Sequence, residues 1–148
     1  MADTTVTVKQ DGTGDYTSIS AAENAANVSS GFYKIVIDDS NTYNEAVMID
    51  GATGTASISN YVWLTVSAGN RHDGVMGNGA VLTNTSINLD IRQNFTRVEH
   101  LEIQHQSNWG IQLIANNILI SRCMIITANA GERGISNVQS TDVFVDNC

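Results

Sequence analysis

Three segments, VEHLEI (Val98–Ile103), ILISRCMI (Ile118–Ile125) and TDVFVDNC (Thr141–Cys148), carry one pattern. In the register that superposes Val98, Ile120 and Val145, the spacings are 22 and 25 residues. Leu101, Cys123 and Cys148 then coincide, as do Ile103 and Ile125. A second series, Ile87, Ile111 and Ile135, interleaves at 24 residues, with Gly110 and Gly134 repeating beside it. Repetition of this kind decides architecture ahead of local signals, because each unit buries its apolar face only against its neighbours. SINLDI and GIQLI alternate apolar and polar residues as half-buried strands do. The polar stretches QHQSNW and TANAGER separate the strands and make turns.

A period in the low twenties with two or three short strands describes a parallel β-helix or a leucine-rich repeat. The L-x-x-L-x-L-x-x-N signature is missing and β-branched residues dominate, which selects the β-helix. Successive coils stack at about 4.8 Å, so Val98, Ile120 and Val145 are expected in one aliphatic column. Asn94, Asn117 and Asp142 precede the same strand and are expected to form a polar ladder at a corner. The chain from Ile35 to Cys148 has room for roughly five coils. The expectation is one all-β domain over residues 1–148, with a strand and helix in 1–30 and coils in 31–148.

Composition narrows the function classes. The formal net charge is −8, with only seven Lys and Arg at scattered positions. Phosphate backbones are bound by clustered cations, so nucleic acid is not an expected partner. No apolar run reaches membrane-spanning length. The N-terminus, MADTTVTVKQDG, lacks the basic-then-apolar order of a signal peptide. Cys123 and Cys148 have no ligand spacing for a metal and are read as buried small hydrophobes. Asn27, Asn84 and Asn94 head N-x-S/T triplets, which an Asn/Ser/Thr-rich chain produces by chance.

The first third carries a separate signal. VTVKQDGTGDYTSISAAENAA (Val6–Ala26) precedes YKIVIDDSNTYNEAVMI (Tyr33–Ile49). This resembles the opening of the pectin-lyase-like right-handed parallel β-helix superfamily, most closely the pectin methylesterases. Asp11, Gly12, Gly14, Asp15, Tyr16 and Ile19 match the D-G-x-G-D-Y-x-x-I motif. Thr42, Tyr43 and Glu45 match G-x-Y-x-E in part, with Asn41 where Gly is usual. The likeness spans about residues 5 to 50, and the same opening introduces phage tailspikes and other virion proteins. Independently of the family, Ser18 or Thr17 is placed to cap a helix whose small face, Ala21, Ala22, Ala25 and Ala26, packs on something flat. Such a helix hides edge strands at one end of a solenoid.

The resemblance implies no catalytic residue here, because the G-x-V-D-F-I-F-G and L-G-R-P-W segments of the esterases have no counterpart. No cofactor or metal is expected. Arg71–Gly74 (RHDG) reads as a solvated turn. Glu99, Glu102 and His105, with His100 between them, are the candidate glycan-facing residues, since paired carboxylates on a β-helix face cut polysaccharide. Trp63 and Trp109 are candidates for sugar stacking or subunit contact. With one helical cap, the far end of the solenoid is expected to be bare, which makes Val143, Val145, Cys148 and Trp109 candidate subunit-interface residues. The expectation is a non-enzymatic phage virion structural protein, assembled in the host cytoplasm. It would be a homotrimer acting as capsid decoration, cement protein or tailspike-like peg against partners such as the major capsid protein. The alternatives are the N-terminal part of a carbohydrate-active β-helix enzyme, or a module that binds surface glycan.

Overall fold

Burial alternates along YKIVI, and VWLTV and ILIS keep Val, Leu and Ile inward at every second position, with Thr65 and Ser121 buried between or beside them. The computed structural model describes residues 3–106, 108–129 and 131–148. Ser107 and Ala130, one in each expected turn segment, lie outside the described residues. In chain order the elements are β1 (Thr4–Val8), α1 (Ile19–Asn24), β2 (Tyr33–Ile37), β3 (Thr42–Asn44) and β4 (Val47–Ile49). Then come β5 (Val62–Val66), β6 (Val81–Asn84), β7 (Leu89–Ile91), β8 (Thr96–Glu99), β9 (Glu102–His105) and β10 (Trp109–Leu113). Last are β11 (Ile118–Ser121), β12 (Met124–Thr127), β13 (Arg133–Asn137) and β14 (Val143–Asp146).

From β2 onward every third strand joins the same sheet, β1 adds to the first, and the pairing within each sheet is parallel. The first sheet runs β1-β2-β5-β8-β11-β14, the second β3-β6-β9-β12 and the third β4-β7-β10-β13. This is a right-handed parallel β-helix. Four complete three-strand coils lie between β1 and β14, giving the first sheet six rungs rather than five. The additional rung is β1, which pairs in register with β2 instead of standing outside the coils.

Register aligns the core into columns. Val6, Ile35, Leu64, Val98, Ile120 and Val145 form the first, as the repeat predicted for its last three members. Tyr43, Leu82, Ile103 and Ile125 form the second. The third is Val47, Leu89, Ile111 and Ile135. Each fully buried Leu or Ile in these columns contributes about 1.5–3 kcal/mol. Ile87 was expected in the third column, but Leu89 occupies it. The reason is buried Asn88, whose amide donates to the Leu82 and Gln104 carbonyls at 3.1 and 3.0 Å. That corner is complete before the strand starts.

The polar ladder also differs from expectation by one residue. Asn94 Oδ1 accepts the Asn116 amide at 2.8 Å, and Asn116 Oδ1 accepts the Thr141 amide at 2.7 Å. Asn117 and Asp142 instead turn the corner, with Phe95, at φ 58°, 54° and 56°. Short polar side chains tolerate that left-handed conformation. His100, Arg122 and Asn147 repeat it at the opposite ends of the same strands, at φ 63°, 52° and 52°.

The N-terminal motif folds for local reasons. Asp11 Oδ1 accepts the Thr13 amide and hydroxyl, while Asp15 Oδ2 accepts those of Thr7. Gly14 passes so close that a Cβ there would sit 3.0 Å from both Lys9 N and Thr7 O. Ser18 caps α1, its hydroxyl accepting the Ala21 amide. The buried face is Ile19, Ala22, Glu23 and Ala26, the i, i+3, i+4, i+7 stripe of a helix. Ala21 and Ala25, expected on that face, are exposed. Cys123 is buried as expected, but Cys148 is exposed.

Candidate functional site

Outward positions of the first sheet stack as strictly as the core. Lys34, Trp63, Arg97, Leu119 and Phe144 form an external column. Phe32 stacks on Tyr61 with centroids 5.6 Å apart and meets Trp63 edge-on at 5.9 Å. Lys34 Nζ lies 3.9 Å over the Trp63 ring, and the Arg97 guanidinium 4.1 Å over Tyr61. Both cation–π contacts occupy the ring faces that a sugar would stack on. Glu99, the outward glutamate of the sequence analysis, accepts the Trp63 indole N–H at 2.9 Å and the Ser121 hydroxyl at 3.3 Å. This cluster was missed in the sequence, because its members lie up to three coils apart and meet only through register.

Beside it, Ser57, Ile58, Tyr61, Phe95, Arg97, Asn117, Ile118 and Leu119 line a groove of about 220 Å³. Arg97 is the charged residue of its lining. A second hollow of about 240 Å³, near Met48 and Ile87, has Asp90 and Arg92 paired at 2.7 Å on its wall.

Glu102 and His105, expected on an outer face, are buried. Glu102 is 0% exposed although its strand position is outward. The excursion between β5 and β6 folds over it, and the Gly77 amide donates to Glu102 at 2.9 Å while Gln104 Nε2 donates at 2.6 Å. RHDG belongs to the same excursion and is more than a solvated turn, since His72 Nε2–H donates to the Arg122 carbonyl at 2.8 Å. Asp73 accepts the Val75 amide, which holds its carboxyl below the usual range. His105 is 1% exposed, with Nδ1 3.6 Å from Glu132. At the left-handed corner, burial and the Arg71 charge hold the His100 imidazole below its usual pKa.

The four candidate interface residues do not form one patch. Val143 and Val145 lie on β14 of the first sheet, whereas Trp109 opens β10 of the third and pairs with Arg133. Val143 packs against the core, Val145 is 45% exposed, and Phe144, missed in the sequence, is 61% exposed on the outer face. Among the described residues, no group of three or more His, Cys, Asp or Glu side chains is placed to hold a metal ion. No helix among them is long and apolar enough to cross a membrane.

The stacked three-sheet coil and its helix-bearing first turn define a parallel β-helix. The structure is similar to that of the deglycosylated pectin methylesterase from Aspergillus niger, with a TM-score of 0.64 and 14% sequence identity. The match covers 95% of this chain and 49% of that one, so the chain spans about half the length of the esterase. At that identity the likeness is one of fold. No family model matches the chain, and no curated protein does.

Proposed function

We propose that this chain is a non-catalytic structural β-helix: a rigid peg of a phage particle, in which three copies stand side by side. One observation carries the reading. All five glutamates of the chain accept hydrogen bonds within the fold. Glu23 and Glu45 tie α1 to the second coil, Glu99 joins three rungs, Glu102 pins the excursion after β5, and Glu132 closes a turn with Asn129. These glutamates are committed to the fold, four of them between coils and Glu132 within a turn, rather than standing free as proton donor or nucleophile.

Side-by-side assembly draws support from the outer face of the first sheet. Ile58 is 80% exposed, borders the groove with Leu119, and Leu119 registers with exposed Phe144. Exposed apolar side chains on one outer face suit contact with another copy. The resemblance of the opening motif to that of phage virion proteins supports reading such a bundle as part of a particle assembled in the host cytoplasm, against partners such as the major capsid protein.

The test is the solution mass by light scattering coupled to size exclusion, with pectin and capsular polysaccharide assayed alongside. A mass of three chains and no change in either polymer is the expected result. A monodisperse monomer overturns the bundle, and ester or glycosidic cleavage overturns the non-catalytic reading. A glycan-binding module is the second reading, favoured by the mixed aromatic and polar lining of the 220 Å³ groove. Saturable glycan binding that the Arg97→Ala variant loses would establish it.

A further inference from the structure

The two cysteines occupy the same place in successive rungs. Cys123 Sγ contacts the Val98 and Ser121 carbonyl oxygens, and Cys148 Sγ the Ile120 and Asp146 oxygens. Those oxygens belong to residues that register rung on rung. The Cys123 amide donates to Cys148 Sγ at 3.4 Å, across 25 residues of sequence. The Arg122 amide, one residue before, donates to the Asp146 carbonyl at 3.0 Å. Rungs stack at about 4.8 Å, and disulfides join Cα atoms about 4.4–6.8 Å apart. Both cysteines are free thiols, one buried and one at the surface.

We infer that Cys123 and Cys148 are a stacked dithiol that a small-molecule disulfide oxidises to a bond between the last two rungs. The Cys148 thiolate attacks one sulfur of the oxidant, whose S–S bond breaks and releases one small thiolate. Cys123 then loses its proton to solvent, attacks Cys148 Sγ of the mixed disulfide and displaces the second small thiolate. The products are one protein disulfide and two small thiols, which carry the two protons the cysteines gave up. The order of attack follows from the environment. The Cys123 thiol and amide, donating to Cys148, pull its pKa down to about 6, while the same contact and burial push Cys123 up. A surface thiolate attacks first, and a buried thiol resolves.

The probe is glutathione disulfide on the 148-residue chain, read by intact mass under non-reducing, denaturing conditions. The expected product is a single chain lighter by two hydrogens, with no thiol left to alkylate. Amide exchange along β14 should slow at least several-fold, because the closed loop pins that rung. Cys123→Ser should stop at a lasting glutathione adduct on Cys148, and Cys148→Ser should leave Cys123 unmodified. A wild-type chain that stays a glutathione adduct, couples through Cys148 to a second chain, or does not react would overturn the inference.

Discussion

The Ser20 hydroxyl donates to the Glu45 carboxylate at 2.6 Å, joining the start of α1 to the corner between β3 and β4. The Ile19 and Ser20 amides donate to the same carboxylate at 2.8 and 3.0 Å. Glu45 therefore satisfies donors that the first turn of any helix leaves unpaired. This is the physical content of the Glu in the T-Y-N-E segment: it docks the helix on the second coil.

Glu45→Ala should cost about 2–3 kcal/mol, since it strands helix amides that were bonded to a charged acceptor. Urea unfolding of the variant checks this. An unchanged midpoint would mean that solvent replaces the carboxylate without loss.

The Gly110→Ala variant should lose about 1–3 kcal/mol by overpacking. Its Cβ would lie 2.7 Å from the Gly134 carbonyl oxygen and 3.1 Å from both His105 Cδ2 and Ile125 Cγ2. A thermal melt reads the loss. The Gly110–Gly134 repeat is thus a packing requirement of stacked rungs.

Leu64 stands in the middle of the first column, between Ile35 and Val98. Leu64→Ala should cost about 2–5 kcal/mol, because the rungs on either side cannot close the cavity. Equal destabilisation by Phe144→Ala, at an exposed site, would contradict the inside-outside assignment.

Acid should act through Asp15. The Thr7 amide and hydroxyl hold its carboxyl below the usual value, so its stabilisation is complete above the unfolded value near 3.9 and vanishes as pH falls through the folded one. Glu23 works in the opposite direction, because burial raises its pKa, and its protonation on acidification relieves a cost. Asp15→Asn should flatten the loss of stability below about pH 4. Melts at pH 3 and pH 7, compared between wild type and variant, measure it.

Glu102→Leu should free the excursion it anchors while leaving the coils folded. Limited proteolysis should then cut between residues 71 and 79 faster than in wild type, at a similar global midpoint. Protection unchanged by the substitution would assign the anchoring to His72 and Arg122.

The sequence alone determined the solenoid, because its evidence is periodic. Val98, Ile120 and Val145 fall in one column only if coils of 22 to 25 residues stack. The D-G-x-G-D-Y segment was equally legible, since its bonds from Asp11 to Thr13 and Asp15 to Thr7 are local. Tertiary structure decided what periodicity does not encode. Glu102 alternates outward like Gln104, yet a 14-residue excursion from an earlier coil covers it. Asn88 ended a corner early and moved Leu89 into the place expected for Ile87. The Trp63–Glu99 bond and the cations over Tyr61 and Trp63 join residues from different coils. Alternation tells which side of a strand a residue takes, but coil lengths that vary by several residues leave open which neighbours it meets there. Those neighbours are what separate an outward carboxylate such as Glu99 from a buried one such as Glu102.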